Sequence, residues 1–127
     1  SHSNINIKLH SQDKDIYYQF DRFQITQSLN NIIKNAIEAV KNIPNPSISV
    51  NLFENNNQIK LAVKDNGIGV DEKKISKLFE PYFTTKEKGT GLGLSIVKKI
   101  IEDHGGKIKI EKNKNMAGTT TLVTFET

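Results

Sequence analysis

Residues 22–69, RFQITQSLNNIIKNAIEAVKNIPNPSISVNLFENNNQIKLAVKDNGIG, change their hydrophobic period once, and the change decides the fold. From about Arg22 to Ile43 the apolar positions Ile25, Leu29, Ile32, Ile33, Ala36, Ile37 and Val40 recur at helical spacing, and Pro44 and Pro46 follow the end. The spacing then drops to two. Ile48, Val50 and Leu52 alternate with polar residues, as do Ile59, Leu61 and Val63 beyond the natural turn Asn55-Asn56-Asn57. A long helix therefore leads into a hairpin, which runs directly into Asp65-Asn66-Gly67-Ile68-Gly69.

Upstream, alternation at Ile5, Ile7, Leu9 and again at Ile16, Tyr18, Phe20 predicts an opening hairpin that turns through Ser11 to Asp15. Downstream, a short helix is expected over Asp71 to Phe79, followed by an irregular stretch through Gly89. A helix carrying Leu92, Ile96, Val97, Ile100 and Ile101 comes next, with Gly105-Gly106 as a left-handed stop. Two strands, about 107–111 and 120–126, complete the pattern. Strands arriving as hairpins with helices between them predict an α+β fold: a two-layer sandwich with a mixed, mostly antiparallel sheet covered on one face by helices.

The chain has 127 residues, 35% hydrophobic and 25% charged, the balance of one soluble domain spanning 1–127, with residues 1–4 read as an expression remnant or linker. The absence of cysteine excludes disulfides, thiolate metal sites and a cysteine nucleophile. No apolar run approaches the roughly 20 residues of a membrane span, so any anchor is expected outside this piece. The net charge of +4 is spread over lysines that alternate with acids, which favours a solvated surface over a nucleic-acid stripe.

Four clusters carry chemistry. On the long helix, Asn31, Asn35 and Glu38 share one sector, roughly opposite Leu29, Ile33, Ala36 and Val40. A solvated face would look similar, but asparagine is a weak helix former, and its amide oxygen suits a magnesium ion that leans on substrate phosphates. At the strand end, the glycines of Asp65 to Gly69 permit a sharp turn and close approach to a flat ligand. Asp65, an acceptor when ionised, suits an exocyclic amino group such as adenine's. Gly89-Thr90-Gly91-Leu92-Gly93-Leu94-Ser95 precedes a helix, where exposed N–H groups and the helix dipole make a seat for phosphate. Phe79-Glu80-Pro81-Tyr82-Phe83-Thr84-Thr85-Lys86 reads as a loop anchored by aromatics that carries cations to a ligand, a lid over phosphates.

In this order the clusters resemble the nucleotide-binding domain of sensor histidine kinases, within the wider family that includes gyrase, HSP90 and MutL. Residues 29–39 resemble its N box, Asp65 to Gly69 its G1 box, Phe79 to Phe83 its F box and Gly89 to Leu94 its G2 box. The resemblance implies Mg·ATP binding and transfer of the γ-phosphoryl group to a histidine on a separate dimerisation domain. It implies Asn35 as magnesium ligand, with Asn31 beside phosphates or metal and Ala39 lining the nucleotide. Asp65 becomes the adenine acceptor on a loop shaped by Gly67 and Gly69. Thr85 and Lys86 are implied on the lid, and Lys34 as a further phosphate contact. Gly89, Thr90, Gly91, Leu92, Gly93 and Leu94 fall around the phosphates, and Thr119 or Thr120 supports the aspartate.

Hydrolysing relatives place a glutamate base one turn before the metal asparagine; here that position is Asn31, so holding ATP for another acceptor is implied. None of His2, His10 and His104 lies in the phosphoacceptor pattern, and His104 reads as a helix-terminal residue. The implied partners are the dimerisation and phosphotransfer helices of the same protein and, indirectly, a response regulator, with no nucleic acid. The piece is expected to be a monomer, and the whole protein a homodimer with this domain in the cytoplasm and any anchor in a bacterial inner membrane. Residues 84–86 and 102–106 are most similar to nitrogen-regulation sensor kinases. An anti-sigma-type serine kinase and a non-catalytic nucleotide-sensing module stand as alternatives.

Overall fold

The computed structural model describes residues 5–12, 15–81 and 93–127. Strand β1 (Asn6–Ser11) is followed by helix α1 (Arg22–Ala39), strands β2 (Ser47–Asn55) and β3 (Gln58–Asp65), helix α2 (Glu72–Ile75) with a 3₁₀ turn (Ser76–Phe79), helix α3 (Gly93–Asp103), and strands β4 (Gly106–Lys112) and β5 (Thr119–Glu126). The five strands form one mixed sheet in the order β1-β2-β3-β5-β4, in which β1 and β2 are parallel and the other neighbours antiparallel.

The register puts one set of alternating residues under the helices. Ile48, Val50 and Leu52 stand opposite Asp65, Val63 and Leu61, while Ile59 and Leu61 stand opposite Phe125 and Val123. Ile32, Ala36 and Val40 of the α1 segment and Val97 and Ile101 of α3 close this core from above. The hairpin between β2 and β3 needs two left-handed residues, and Asn56 (φ 53°) and Asn57 (φ 62°) supply them. Helix α1 starts where Asp21 Oδ1 accepts the N–H of Gln24 at 3.0 Å. Helix α3 stops as expected before Gly105, whose φ is 81°.

The expected opening hairpin does not form. Residues 15–20 have no regular secondary structure, and β1 pairs in parallel with β2, from Asn6 opposite Ser47 to Ser11 opposite Leu52. Parallel neighbours need a long crossover, and α1 provides it. The alternation read at Ile16, Tyr18 and Phe20 has another cause. Tyr18 packs in a tilted arrangement on Phe125, at 4.8 Å between ring centroids, and on Phe20, at 4.9 Å, so the segment packs one side on the core without joining the ladder. Past the end of β1, the side-chain amide of Gln12 extends the pairing: it donates to the Glu54 carbonyl at 3.1 Å and accepts the Glu54 N–H at 2.7 Å. The long helix also ends at Ala39, earlier than the expected Ile43.

Candidate functional site

The buried stripe of α1 runs through Ser28, Ile32 and Ala36, whereas Leu29 and Ile37 are 38% and 37% exposed. The helix has therefore rolled about its axis relative to the stripe expected from periodicity. The polar sector of Asn31 and Asn35 consequently flanks the core, half-buried, and does not stand opposite it. Packing against both the sheet and α3 requires a wide contact face, and this leaves the two amides at its margin. Lys34 and Glu38 are exposed. Asn31 also lines an open concavity of about 650 Å³ with Arg22, Phe23, Thr26, Gln27 and Asn30. Asp65 and its loop are not part of that concavity among the described residues, so hydrogen-bond geometry defines the site better than its volume does.

Asp65 closes β3 and is 6% exposed. Its Oδ1 accepts two main-chain N–H groups, from Gly67 at 2.9 Å and Thr119 at 3.3 Å. Nothing among the described residues donates to Oδ2. Burial pushes this carboxyl above its ordinary value, against the two backbone hydrogen bonds, which pull it down. A buried carboxylate with one oxygen held and the other available is an acceptor waiting for a donor.

The loop after Asp65 docks on the end of α1. Ile68 N–H donates to the Ala39 carbonyl at 3.2 Å, and a Cβ on Gly67 would lie 2.4 Å from the same oxygen. Gly67 is therefore required by the approach of its backbone to helix α1, where the sequence suggested approach to a ligand. Gly69 does make the sharp turn, with φ 75°. Asn35 and Ala39 are four residues apart, on one face of the helix, so the amide sector leads to the carboxylate loop within one turn. Asn66 secures the other side: its Oδ1 accepts Ser47 N–H at 2.9 Å and its Nδ2 donates to the Asn45 carbonyl at 2.9 Å.

The threonines divide their roles. Thr119 supports Asp65 through its main-chain N–H, while the Thr120 hydroxyl donates to Asn113 Oδ1 at 2.6 Å. Asn113 and Gly118 escaped the sequence reading, although both touch the Asp65 main chain. The one available signal was a glycine directly before the threonine pair. Gly93 and Leu94 begin α3, with open space where a Gly93 Cβ would be. Phe83, Thr85, Lys86, Gly89, Thr90, Gly91 and Leu92 lie outside the described residues.

His104 is a joint between elements. Its Nε2 accepts the Asp21 N–H at 3.0 Å, its Nδ1 faces the Ile100 carbonyl at 2.8 Å, and its own carbonyl accepts the Tyr18 hydroxyl at 2.6 Å. With Nε2 accepting, the ring proton sits on Nδ1. Both nitrogens are thereby engaged in structure, in keeping with its reading as a helix-terminal residue.

No helix among the described residues is long and apolar enough to cross a membrane. A family model described as histidine kinase-, DNA gyrase B-, and HSP90-like ATPase matches residues 20–127. Nitrogen regulation protein NtrY of Azorhizobium caulinodans is 43% identical over 113 residues, covering 85% of this chain and 15% of that protein. Sporulation kinase A of Bacillus subtilis is 38% identical over 116 residues, covering 91% of this chain and 19% of the relative. The catalytic domain of histidine kinase ThkA superposes with a TM-score of 0.84 at 37% identity, covering 97% of this chain and 79% of that one. The chain thus spans a minor part, 15% and 19%, of these two curated relatives. The buried acceptor at the end of β3, the glycine loop docked on the asparagine helix and the match over 20–127 agree: this chain belongs to the histidine kinase-, DNA gyrase B- and HSP90-like ATPase family, as an ATP-binding domain of the sensor-histidine-kinase kind.

Proposed function

We propose that this domain binds Mg·ATP along the flank of α1, with the base at Asp65, and donates the γ-phosphoryl group to a histidine on a dimerisation helix of its parent protein. The observation that carries the reading is the docking of the Asp65 loop on Ala39, one helical turn beyond Asn35. A carboxylate suited to an amino group and an amide suited to a phosphate-bound metal thereby belong to one surface.

The donor set fits magnesium. Among the described residues no group of three or more His, Cys, Asp and Glu could hold a metal, and the helix presents amides. A hard cation that keeps its waters and leans on substrate phosphates needs no more from the protein, and Asn35 is the residue that would hold it, with Asn31 beside it. When bound, it would neutralise charge on the phosphates. Phosphoryl transfer asks mainly for positioning, and Asp65 and the helix provide it by fixing the base and triphosphate relative to each other. At Asn31 an amide stands where a general base would have to take a proton from water, and this disfavours hydrolysis over transfer.

The finer assignments of Thr85, Lys86, Gly89, Thr90, Gly91, Leu92, Gly93, Leu94 and Lys34 to the phosphates belong to the same proposal. So do a homodimeric parent, an indirect route to a response regulator and a cytoplasmic site of action. Histidine kinase ThkA has been seen in complex with the response regulator protein TrrA, which supports that route.

The test is transfer from ATP to an added dimerisation domain carrying its histidine helix. Asn35→Ala should retain the circular-dichroism spectrum and lose most magnesium-dependent transfer, at least tenfold. Full phosphorylation by that variant would overturn the metal assignment. Label appearing on serine of a separate protein, or tight ATP binding without any transfer, would favour the serine-kinase or sensing alternatives.

A further inference from the structure

The connection between β4 and β5 grips Asp65 by its main chain as well as by its carboxylate, and Asn113 stands at its base. Asn113 Nδ2 donates to the Asp65 main-chain carbonyl at 2.7 Å and to the Ala117 carbonyl at 3.0 Å. Its Oδ1 accepts the Thr120 hydroxyl at 2.6 Å, and its main-chain N–H donates to the Gly118 carbonyl at 3.0 Å. Both ends of the side-chain amide are thus held while it holds Asp65.

The reason lies in where the ladder stops. The last pair between β3 and β5 is Lys64 with Thr120. One residue further, the Thr119 N–H turns to Oδ1 of Asp65, and the Asp65 carbonyl accepts a hydrogen bond from the Asn113 amide. Gly118, at φ 106°, lies so close that a Cβ there would be 2.0 Å from that carbonyl oxygen, which presses the connection directly onto the residue it serves. Fixing the Asp65 main chain sets the direction of its side chain, and the two donors on Oδ1 set its rotation.

We propose that Asn113 is a positioning residue for base selectivity: it locks Asp65 so that Oδ2 is presented to the exocyclic amino group of adenine. The inference rests on the proposed role of Asp65 as base acceptor. A hydrogen bond weakens steeply as its angle degrades, so an acceptor that reads one edge of a base must be held by its surroundings. A neutral amide holds it without placing a cation beside the carboxylate, where it would compete with the ligand.

Calorimetry of ATP and of purine riboside triphosphate, which lacks the amino group but keeps the triphosphate, separates this role from a general one. Asn113→Ala should weaken ATP about tenfold and leave the purine analogue within about twofold. Equal losses for both nucleotides, or no loss for ATP, overturn the proposal. Should that variant fail to fold, Thr120→Val removes the hydroxyl that holds the amide and should shift the same ratio about threefold; an unchanged ratio overturns the proposal equally. Asp65→Asn distinguishes the two layers. If it leaves the preference for ATP intact, the base assignment itself has failed; if it abolishes the preference while Asn113→Ala does not, Asp65 keeps its role and Asn113 loses its own.

Discussion

The main-chain carbonyl of Ala39 accepts the N–H of Ile68 at 3.2 Å, which ties the end of α1 to the loop after β3. This contact brings two distant sequence motifs together, as the proposed site requires. Asn35 is a turn back along the helix, and Asp65 is three residues back along the loop. The contact also explains a glycine, because the loop can reach the helix end only where residue 67 has no side chain.

Gly67→Ala should therefore cost about 2 kcal/mol of stability through overpacking against Ala39. Urea unfolding measures it, and an unchanged midpoint would show that the loop can lift away at no cost.

Asp65→Asn separates stability from binding. Burial raises the folded-state pKa of Asp65 above its unfolded value, so the folded state binds the extra proton in the window between the two. Stability from this group is present below the unfolded value and is lost as pH rises through the folded one. At pH 7 the variant should unfold at higher urea than the parent, and the gap should shrink as pH falls into the usual carboxylate range. ATP affinity should fall about tenfold or more over the same comparison. A parent protein as stable as the variant at pH 7 contradicts the desolvation argument.

Ser28 is fully buried in α1, and its hydroxyl has no hydrogen-bond partner among the described residues. Ser28→Ala should stabilise the domain by about 1 kcal/mol, since it removes an unsatisfied group and improves helix propensity. A loss of stability on chemical denaturation would mean that the hydroxyl serves an unrecognised partner.

His104→Ala leaves the Asp21 N–H without its acceptor and uncouples the start of α1 from the end of α3. A cost of about 2 kcal/mol is expected, with amide exchange quickening at Asp21. Protection at Asp21 equal to that of the parent would sink the account.

Much of the architecture was legible because period is a local property. The helix Arg22–Ala39, the hairpin through Asn56 and Asn57, and the stop at Gly105 each follow from side chains within a turn or two of one another. The candidate site was legible in part for a similar reason: Asn31, Asn35 and Asp65 stand out by being unusual where they are. Asn113 does not, because an asparagine in a polar connection looks ordinary until its amide is seen on a carbonyl 48 residues away.

By itself, then, the order of residues determined the long helix, the β2–β3 hairpin, the stop at Gly105 and which chemical groups gather into motifs, since these depend on near neighbours and on backbone sterics. Tertiary structure decided that β1 lies parallel to β2, that Ile16 to Phe20 pack without pairing, and that α1 turns its amides to the edge of the core. Alternation reveals that one side of a segment is buried, but carries no record of the partner strand. That choice depends on loops and aromatic contacts such as Tyr18 on Phe125, which are settled only when the whole core closes.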